Sequence, residues 1–473
     1  MDKTKIINRE NNMFFQRIFK NKKRGFTLVE MLIFMFIFTI AGLTFYKVFT
    51  IGTKSMGDVR SRLGAIALAN ERIEIIRNLK YEDVATLGGI PAGNLLQVET
   101  VSRSGKTYYV HCSVVAVDDP FDGTLAAGTD TRPADYKQVK IVVYWEDNNL
   151  AKSTTAVTTI SPPGVEAMYT GGILSLNVVD SSGVGIGQAN VKIINNTVSP
   201  SVNAQYTTDS TGNLFLPEVI PALQTYSLQI SKSGYFSVQT YAPYPLSAVS
   251  PIDVHASVVN ASINQKTIVM DKFSTINVYT KSPLGDIVPN IDFALAGGRK
   301  IADTVASPAL PVWSFAKANF NSAVAGKSVF SEVSPGPYYF TYPAGAQNDN
   351  YKLLYLDVAT DATNSFNLSS DVSLDANVIL ANKETDALFV TVLNDADNKP
   401  LADASVELRS VSGTYDVTLA TNKFGKVYFP DASANVVAGD YKLSVKVVGF
   451  TDIIDQDVTV NKLTSQEIKM VAE

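Results

Sequence analysis

NKKRGFTLVEMLIFMFIFTIAGLTFY, Asn21 to Tyr46, joins a basic cluster to an apolar run with one carboxylate near its start. Phe26 to Tyr46 is 21 residues with a single charged side chain, Glu30, close to the ~20 residues a helix needs to cross the hydrocarbon core of a bilayer. An ordinary secretory signal has a shorter apolar core and then a small-residue cleavage site, and no Ala-x-Ala-like exit occurs after this run. The segment therefore reads as retained, with Glu30 as its anomaly. A carboxylate at membrane depth costs a few kcal/mol and is normally kept for a partner. No Lys or Arg follows until Lys47, about 25 Å further along a helix, so the expected partner is a new amino terminus or another subunit. The plainer alternative is a signal anchor in which Glu30 reaches the headgroups.

Working outward, residues 1–25 hold eight basic and two acidic side chains, a net of +6 that leaves −11 for the remainder of a chain whose total is −5. Lys and Arg stay on the cytoplasmic side, so the acidic remainder is expected outside the cytoplasmic membrane, as a single-pass protein with exported C-terminal domains. An acidic surface also argues against a nucleic-acid partner. Cys112 is the only cysteine, which excludes a disulfide framework and leaves an intermolecular bridge or a half-buried strand thiol, the latter favoured.

The helical pattern runs on past Tyr46. Val59, Leu63, Ile66, Ile73 and Ile76 keep the spacings of one helix face, charged residues cover the rest, and no proline occurs between Phe26 and Leu79. After GGIPAG, the stretches GKTYYVHCSVVAV and YKQVKIVVYWED alternate apolar and polar residues at period two and read as strands. The loop between them carries Asp118, Asp119, Asp122, Asp130 and Asp135; its spacing is not that of an EF-hand, and solvated turn chemistry is favoured over calcium.

KKRGFTLVEML resembles the prepilin cleavage and methylation motif of type IV pilins and of the pseudopilins of type II secretion systems. The resemblance implies that a prepilin peptidase cuts after Gly25 and methylates the new amino terminus at Phe26. It also implies that Glu30 neutralises the terminal amine of a neighbouring subunit, with Phe26 to Tyr46 as the transmembrane segment. LANERIEIIRNLKYEDV, Leu68 to Val84, is similar to the helix end of minor pilins and pseudopilins. Two departures from major pilins, Lys47 where many have a helix-bending proline and the missing C-terminal cysteine pair, point to a minor pilin or pseudopilin. A start at Met13 would shorten the leader to MFFQRIFKNKKRG without changing the mature product; both starts stay open.

TISPPGVEAMYTGG, Thr159 to Gly172, reads as a linker, and the chain beyond it is built from repeats. LSLNVVDSSGVGIGQANVKI (Leu174–Ile193), INVYTKSPLGDIVPNIDFAL (Ile276–Leu295) and LFVTVLNDADNKPLADASVEL (Leu388–Leu408) share a strand, a polar turn, a bend and a strand. TTDSTGNLFL (Thr207–Leu216) matches ATNKFGKVYF (Ala420–Phe429), and YSLQISKSGY matches YKLSVKVVGF; AGKSVF and PGPYYFTY are the weaker middle counterparts. These short strands and turn glycines predict antiparallel sandwiches. The pattern resembles the carboxypeptidase regulatory-like and Cna-B-like superfamily, which implies a spacing role. No Lys, Asn and acid set aligns for an isopeptide crosslink.

The expected fold is therefore an α+β pilin-like N-terminal part, a long helix plus an antiparallel sheet, followed by three all-β immunoglobulin- or transthyretin-like sandwiches. The expected segments are a basic leader over 1–25, a membrane or filament-core helix over 26–49, its amphipathic continuation and a head over 50–160, and a linker over 161–172. Sandwiches are expected over 173–271, 272–382 and 383–473.

His111 and Cys112 are strand neighbours that point to opposite faces, and His255 has no partner near it in sequence, so no metal site is expected. No phosphate-cradling loop, nucleophile elbow or HExxH occurs, and neither catalytic residues nor a cofactor are expected. Tyr241, Tyr244 and Trp313 are candidates to meet a glycan or protein ligand, though such residues more often brace loops. The expected function is that of a structural minor pilin in a type IV pilus-like filament at the cell surface. Its expected partners are the prepilin peptidase, other pilin or pseudopilin subunits and an inner-membrane assembly platform. A pseudopilin of a secretion or DNA-uptake system and a non-polymerising, membrane-anchored adhesin are the alternatives.

Overall fold

The computed structural model describes residues 27–117, 119, 123, 135–147, 150–163, 171–360, 364–432 and 434–473. They fall into two compact units, one built on residues up to 78 with 98–112 and 140–158, the other on 79–97, 113–139 and 159–473.

The first unit is organised by α1, Leu28–Arg77, a single helix of 50 residues. At 1.5 Å per residue it is about 75 Å long. It ends where Asn78 turns back, its N–H meeting the Ile75 and Ile76 carbonyls and its side-chain amide the Glu74 carbonyl. Four strands, β1 (Val98–Arg103), β2 (Lys106–Val117), β3 (Tyr136–Asp147) and β4 (Leu150–Ile160), form one sheet in chain order, and β2 and β3 coincide with the two alternating stretches of the sequence.

The buried stripe of α1 is Ala65, Leu68, Ala69, Ile73 and Ile76. That corrects the expected face, because Val59, Leu63 and Ile66 are exposed. At about 100° per residue those three lie a quarter to almost half a turn from the stripe, whose alanines allow close approach. Tyr108 of β2 donates its hydroxyl to the Ser61 carbonyl at 3.0 Å, and a Cβ on Gly64 would stand 2.6 Å from that hydroxyl. Arg72 grips Glu99 through two bonds of 2.9 and 2.8 Å, fixing the helix against β1.

In the second unit, three pairs of sheets share one plan. Each core is filled by inward residues of both sheets, around Leu176 and Leu228 in the first, Val278 and Phe293 in the second, and Val390 and Leu443 in the third. The expectation of purely antiparallel pairing fails at one place in each. Gly172–Val179 runs parallel to Ile263–Val269, Ser274–Lys281 to Ser373–Asn382, and Ala387–Asn394 to Leu463–Met470. A parallel pair needs a long connection. Here the rest of each sandwich supplies it, and alternation within a strand carries no sign of pairing direction.

The repeated glycines share one geometry. Val178, Thr280 and Val392 each donate their N–H to the carbonyl of Gly212, Gly326 and Gly425, at 2.8, 2.9 and 2.7 Å. The same three residues accept from Ile186, Val288 and Leu401, so turn and bend are tied to the first strand by both backbone groups. All three glycines have positive φ, which aligns the weak middle copy AGKSVF with the other two. The tyrosines repeat as well. Buried Tyr226, Tyr338 and Tyr441 donate to the carbonyls of Ile220, Ser334 and Val437 at 2.5, 2.8 and 2.9 Å, in the manner of a tyrosine corner.

Two connections in this unit have no signal in the sequence. Ile90, within the turn after α1, is buried in the core of the first sandwich, and its N–H donates to the Tyr206 hydroxyl at 2.7 Å. Val249–Pro251, from the first sandwich's long loop, pairs with Ala302–Thr304 of the second and extends that sheet.

Candidate functional site

α1 opens on a capping box. Thr27, extended at φ −76° and ψ 155°, is the N-cap; its hydroxyl accepts the Glu30 N–H at 3.2 Å, and the Glu30 carboxylate accepts the Thr27 N–H at 3.5 Å. Glu30 thus stands in the first turn of the helix, where it takes up one of the backbone N–H groups that have no partner within the helix. A search of the sequence for a formal positive charge misses this partner within the chain, although Thr-x-x-Glu is a signal in the opening stretch. Gly25, Phe26 and the leader lie outside the described residues.

From Leu28 to Ile51 the apolar side chains of α1 are exposed on every side, Phe38 at 70% and Tyr46 at 69%, and the helix is long and apolar enough to cross a membrane. Its threonine hydroxyls are satisfied internally: those of Thr39, Thr44 and Thr50 donate to carbonyls one turn back at 2.7, 2.8 and 2.8 Å. Such self-satisfaction is what a lipid or dry protein environment demands.

The remaining candidates are structural in their surroundings. His111 meets the Tyr144 ring edge-on at 4.9 Å, and burial holds its pKa below the ordinary histidine value. His255 sits 2.9 Å from the Thr240 hydroxyl, which in turn accepts the Leu228 N–H. Among the described residues no three His, Cys, Asp or Glu side chains converge as metal ligands. Asp118, Asp122 and Asp130 lie outside the described residues, while the Asp119 N–H donates to the Asp135 carboxylate. Trp313 is half-buried beside Tyr339, Tyr244 is exposed, and Tyr241 lines a cavity.

Cys112 is half-buried, and burial pushes its thiol up to about 11. Since a free thiol titrates near 8.5, the thiolate at pH 8 is depleted roughly 200-fold. Alkylation by iodoacetamide at that pH is therefore expected to run at least ~100-fold slower in the folded chain than in urea. Equal rates in the two states would refute the buried-thiol account.

Residues 20–46 match the family model described as the prokaryotic N-terminal methylation motif. The comparison with curated proteins finds no match. Among solved structures, the Bacillus anthracis TIE protein is 12% identical with a TM-score of 0.20, over 79% of this chain and 73% of that one. A streptococcal ancillary pilin is 11% identical with a TM-score of 0.20, over 64% of this chain and 99% of that one. GBS52, the minor pilin of Streptococcus agalactiae, is 15% identical with a TM-score of 0.17, over 42% and 96%. Likenesses this slight carry no weight for function. The motif and the apolar helix behind it support a pilin-type surface subunit.

Proposed function

We propose that the chain is a minor pilin of a type IV pilus-like filament. The prepilin peptidase removes residues 1–25 after Gly25 and methylates Phe26. The 26–49 segment then holds the subunit in the cytoplasmic membrane until the assembly platform inserts α1 among other pilins, with Glu30 facing a neighbour's amine. Sandwiches over 173–271, 272–382 and 383–473 project outside the cell, where they space or attach the filament.

One observation carries this reading: a methylation motif at residues 20–46 runs directly into a helix of 50 residues whose first half is apolar and exposed all round. A secretory signal needs no such continuation. About 300 residues lie beyond the pilin-like head. That bulk favours a low-copy or tip position, since every shaft subunit would have to accommodate it.

Intact-mass measurement of wild type and Gly25→Ala, with recovery in sheared filaments, tests the proposal. The wild type is expected to lose the leader, gain one methyl group and enter filaments; Gly25→Ala is expected to keep its leader and stay in the membrane fraction. Leader loss by Gly25→Ala would remove the peptidase step. Full processing and surface display without filament association would favour the anchored adhesin.

A further inference from the structure

Where the first sandwich meets the second, a cavity of about 170 Å³ lies between Phe236, Gln239, Tyr241 and Asp253 on one side and Arg299 and Ser314 on the other. Its framework is fixed before any ligand arrives. Arg299 donates to Asp253 at 2.7 Å and to the Val269 carbonyl, and its own N–H meets the Ser334 hydroxyl at 2.8 Å. Ser334 in turn holds the Ser314 hydroxyl at 2.6 Å. The Tyr241 N–H donates to the Asp253 carbonyl and the Ile252 N–H to the Ile301 carbonyl, so the loop bearing Tyr241 and Asp253 is tied into both sandwiches.

We propose that this cavity binds one neutral sugar ring of a surface glycan. Three features lead there. Volume comes first: a cavity of about 150 Å³ admits benzene, so this one admits a single six-membered ring and little more. Chemistry comes next. A carboxylate accepts hydroxyl protons, a guanidinium with five donors has three to spare beyond its two bonds here, and an amide and a hydroxyl offer both functions. Such alternating donors and acceptors answer the adjacent hydroxyls of a sugar, while Phe236 and Tyr241 supply flat faces for its C–H side. Charge bears on the class as well: Asp253 is paired with Arg299 at 2.7 Å and with the Lys266 ammonium at 3.9 Å, so both cations already have an anionic partner within the fold.

The inference rests on the export of this part of the chain, not on polymerisation, so filament recovery and sugar binding fail independently. The test uses the full chain in detergent with D-glucose, D-galactose, D-mannose, N-acetyl-D-glucosamine and sialic acid, read by saturation-transfer NMR. A single ring in a half-open site binds with a Kd on the order of 1 mM. At least one neutral sugar is expected to saturate in that range. Gln239→Ala combined with Tyr241→Leu, two side chains that make no hydrogen bond within the fold among the described residues, is expected to weaken it at least tenfold at unchanged Tm. Absence of saturable binding by any neutral sugar, preference for sialic acid, or undiminished binding by the double variant each overturns the proposal. Should the double variant lower Tm, Gln239→Ala alone replaces it under the same criteria.

Discussion

Gly425→Ala is expected to lower the unfolding midpoint of the third sandwich by at least ~12 °C, and by at least ~4 °C more than Gly413→Ala does. Both glycines have positive φ, 66° and 74°, so alanine at either pays the left-handed penalty of roughly 1–2 kcal/mol. They differ in what surrounds them. A Cβ at Gly413 meets nothing within 4 Å, whereas at Gly425 it would stand 2.4 Å from the Val392 carbonyl oxygen and 3.0 Å from the Leu401 nitrogen. Those are the atoms that tie turn and bend to the first strand, so relief of the overlap breaks the Val392–Gly425 and Leu401–Val392 bonds. Forced overlap of this kind adds about 1–3 kcal/mol. At about 3 kcal/mol in total, a domain of this size shifts by the stated amount. Calorimetry, with hydrogen exchange at Lys426–Phe429, reads it. Equal losses from the two variants would mean that the repeat glycines answer only to backbone conformation.

That contrast shows what a single sequence can disclose. The turn glycines are legible because positive φ narrows the choice of residue, and the match of TTDSTG to ATNKFG results from it. The limits of β2 and β3 are legible because both faces alternate cleanly. Pairing direction is not: the parallel pair of each sandwich joins segments 76 to 98 residues apart, and neither partner's composition records its neighbour. The buried face of α1 is missed when size is taken as the mark of burial. Ala65 and Ala69 are buried for being small, while Leu63 lies open. Ile90 has no local signal either, since its environment is the Tyr206 hydroxyl, 116 positions away.

The candidate site divides in the same way. The motif around Gly25, Phe26 and Glu30 is contiguous, so it can be read directly. The cavity beside Tyr241 depends on Asp253 and Arg299, 46 positions apart and each unremarkable alone. Tyr241 stands out in the sequence only for being aromatic in a loop. What makes it a wall is the bond from its N–H to the Asp253 carbonyl, which no local pattern announces.

Glu30→Gln is expected to leave α1 and leader removal intact while lowering recovery in sheared filaments at least tenfold. The substitution separates the cap that the structure shows from the docking charge proposed above. As a cap, Glu30 needs only an acceptor for the Thr27 N–H, and glutamine serves a capping box as well as glutamate does. As a docking charge it must be ionised beside a neighbour's amine in a dry filament core, where loss of one partner of an ion pair costs about 3–5 kcal/mol. Even half of that lowers assembly more than tenfold. Glu30→Ala removes both functions and adds a cap loss of about 0.5–2 kcal/mol, so it is expected to fray the first turn as well. The pair of variants therefore orders the two contributions. Normal assembly of Glu30→Gln alongside failure of Glu30→Ala would make Glu30 a helix cap and nothing more, because an uncharged amide can hold Thr27 but cannot neutralise an ammonium.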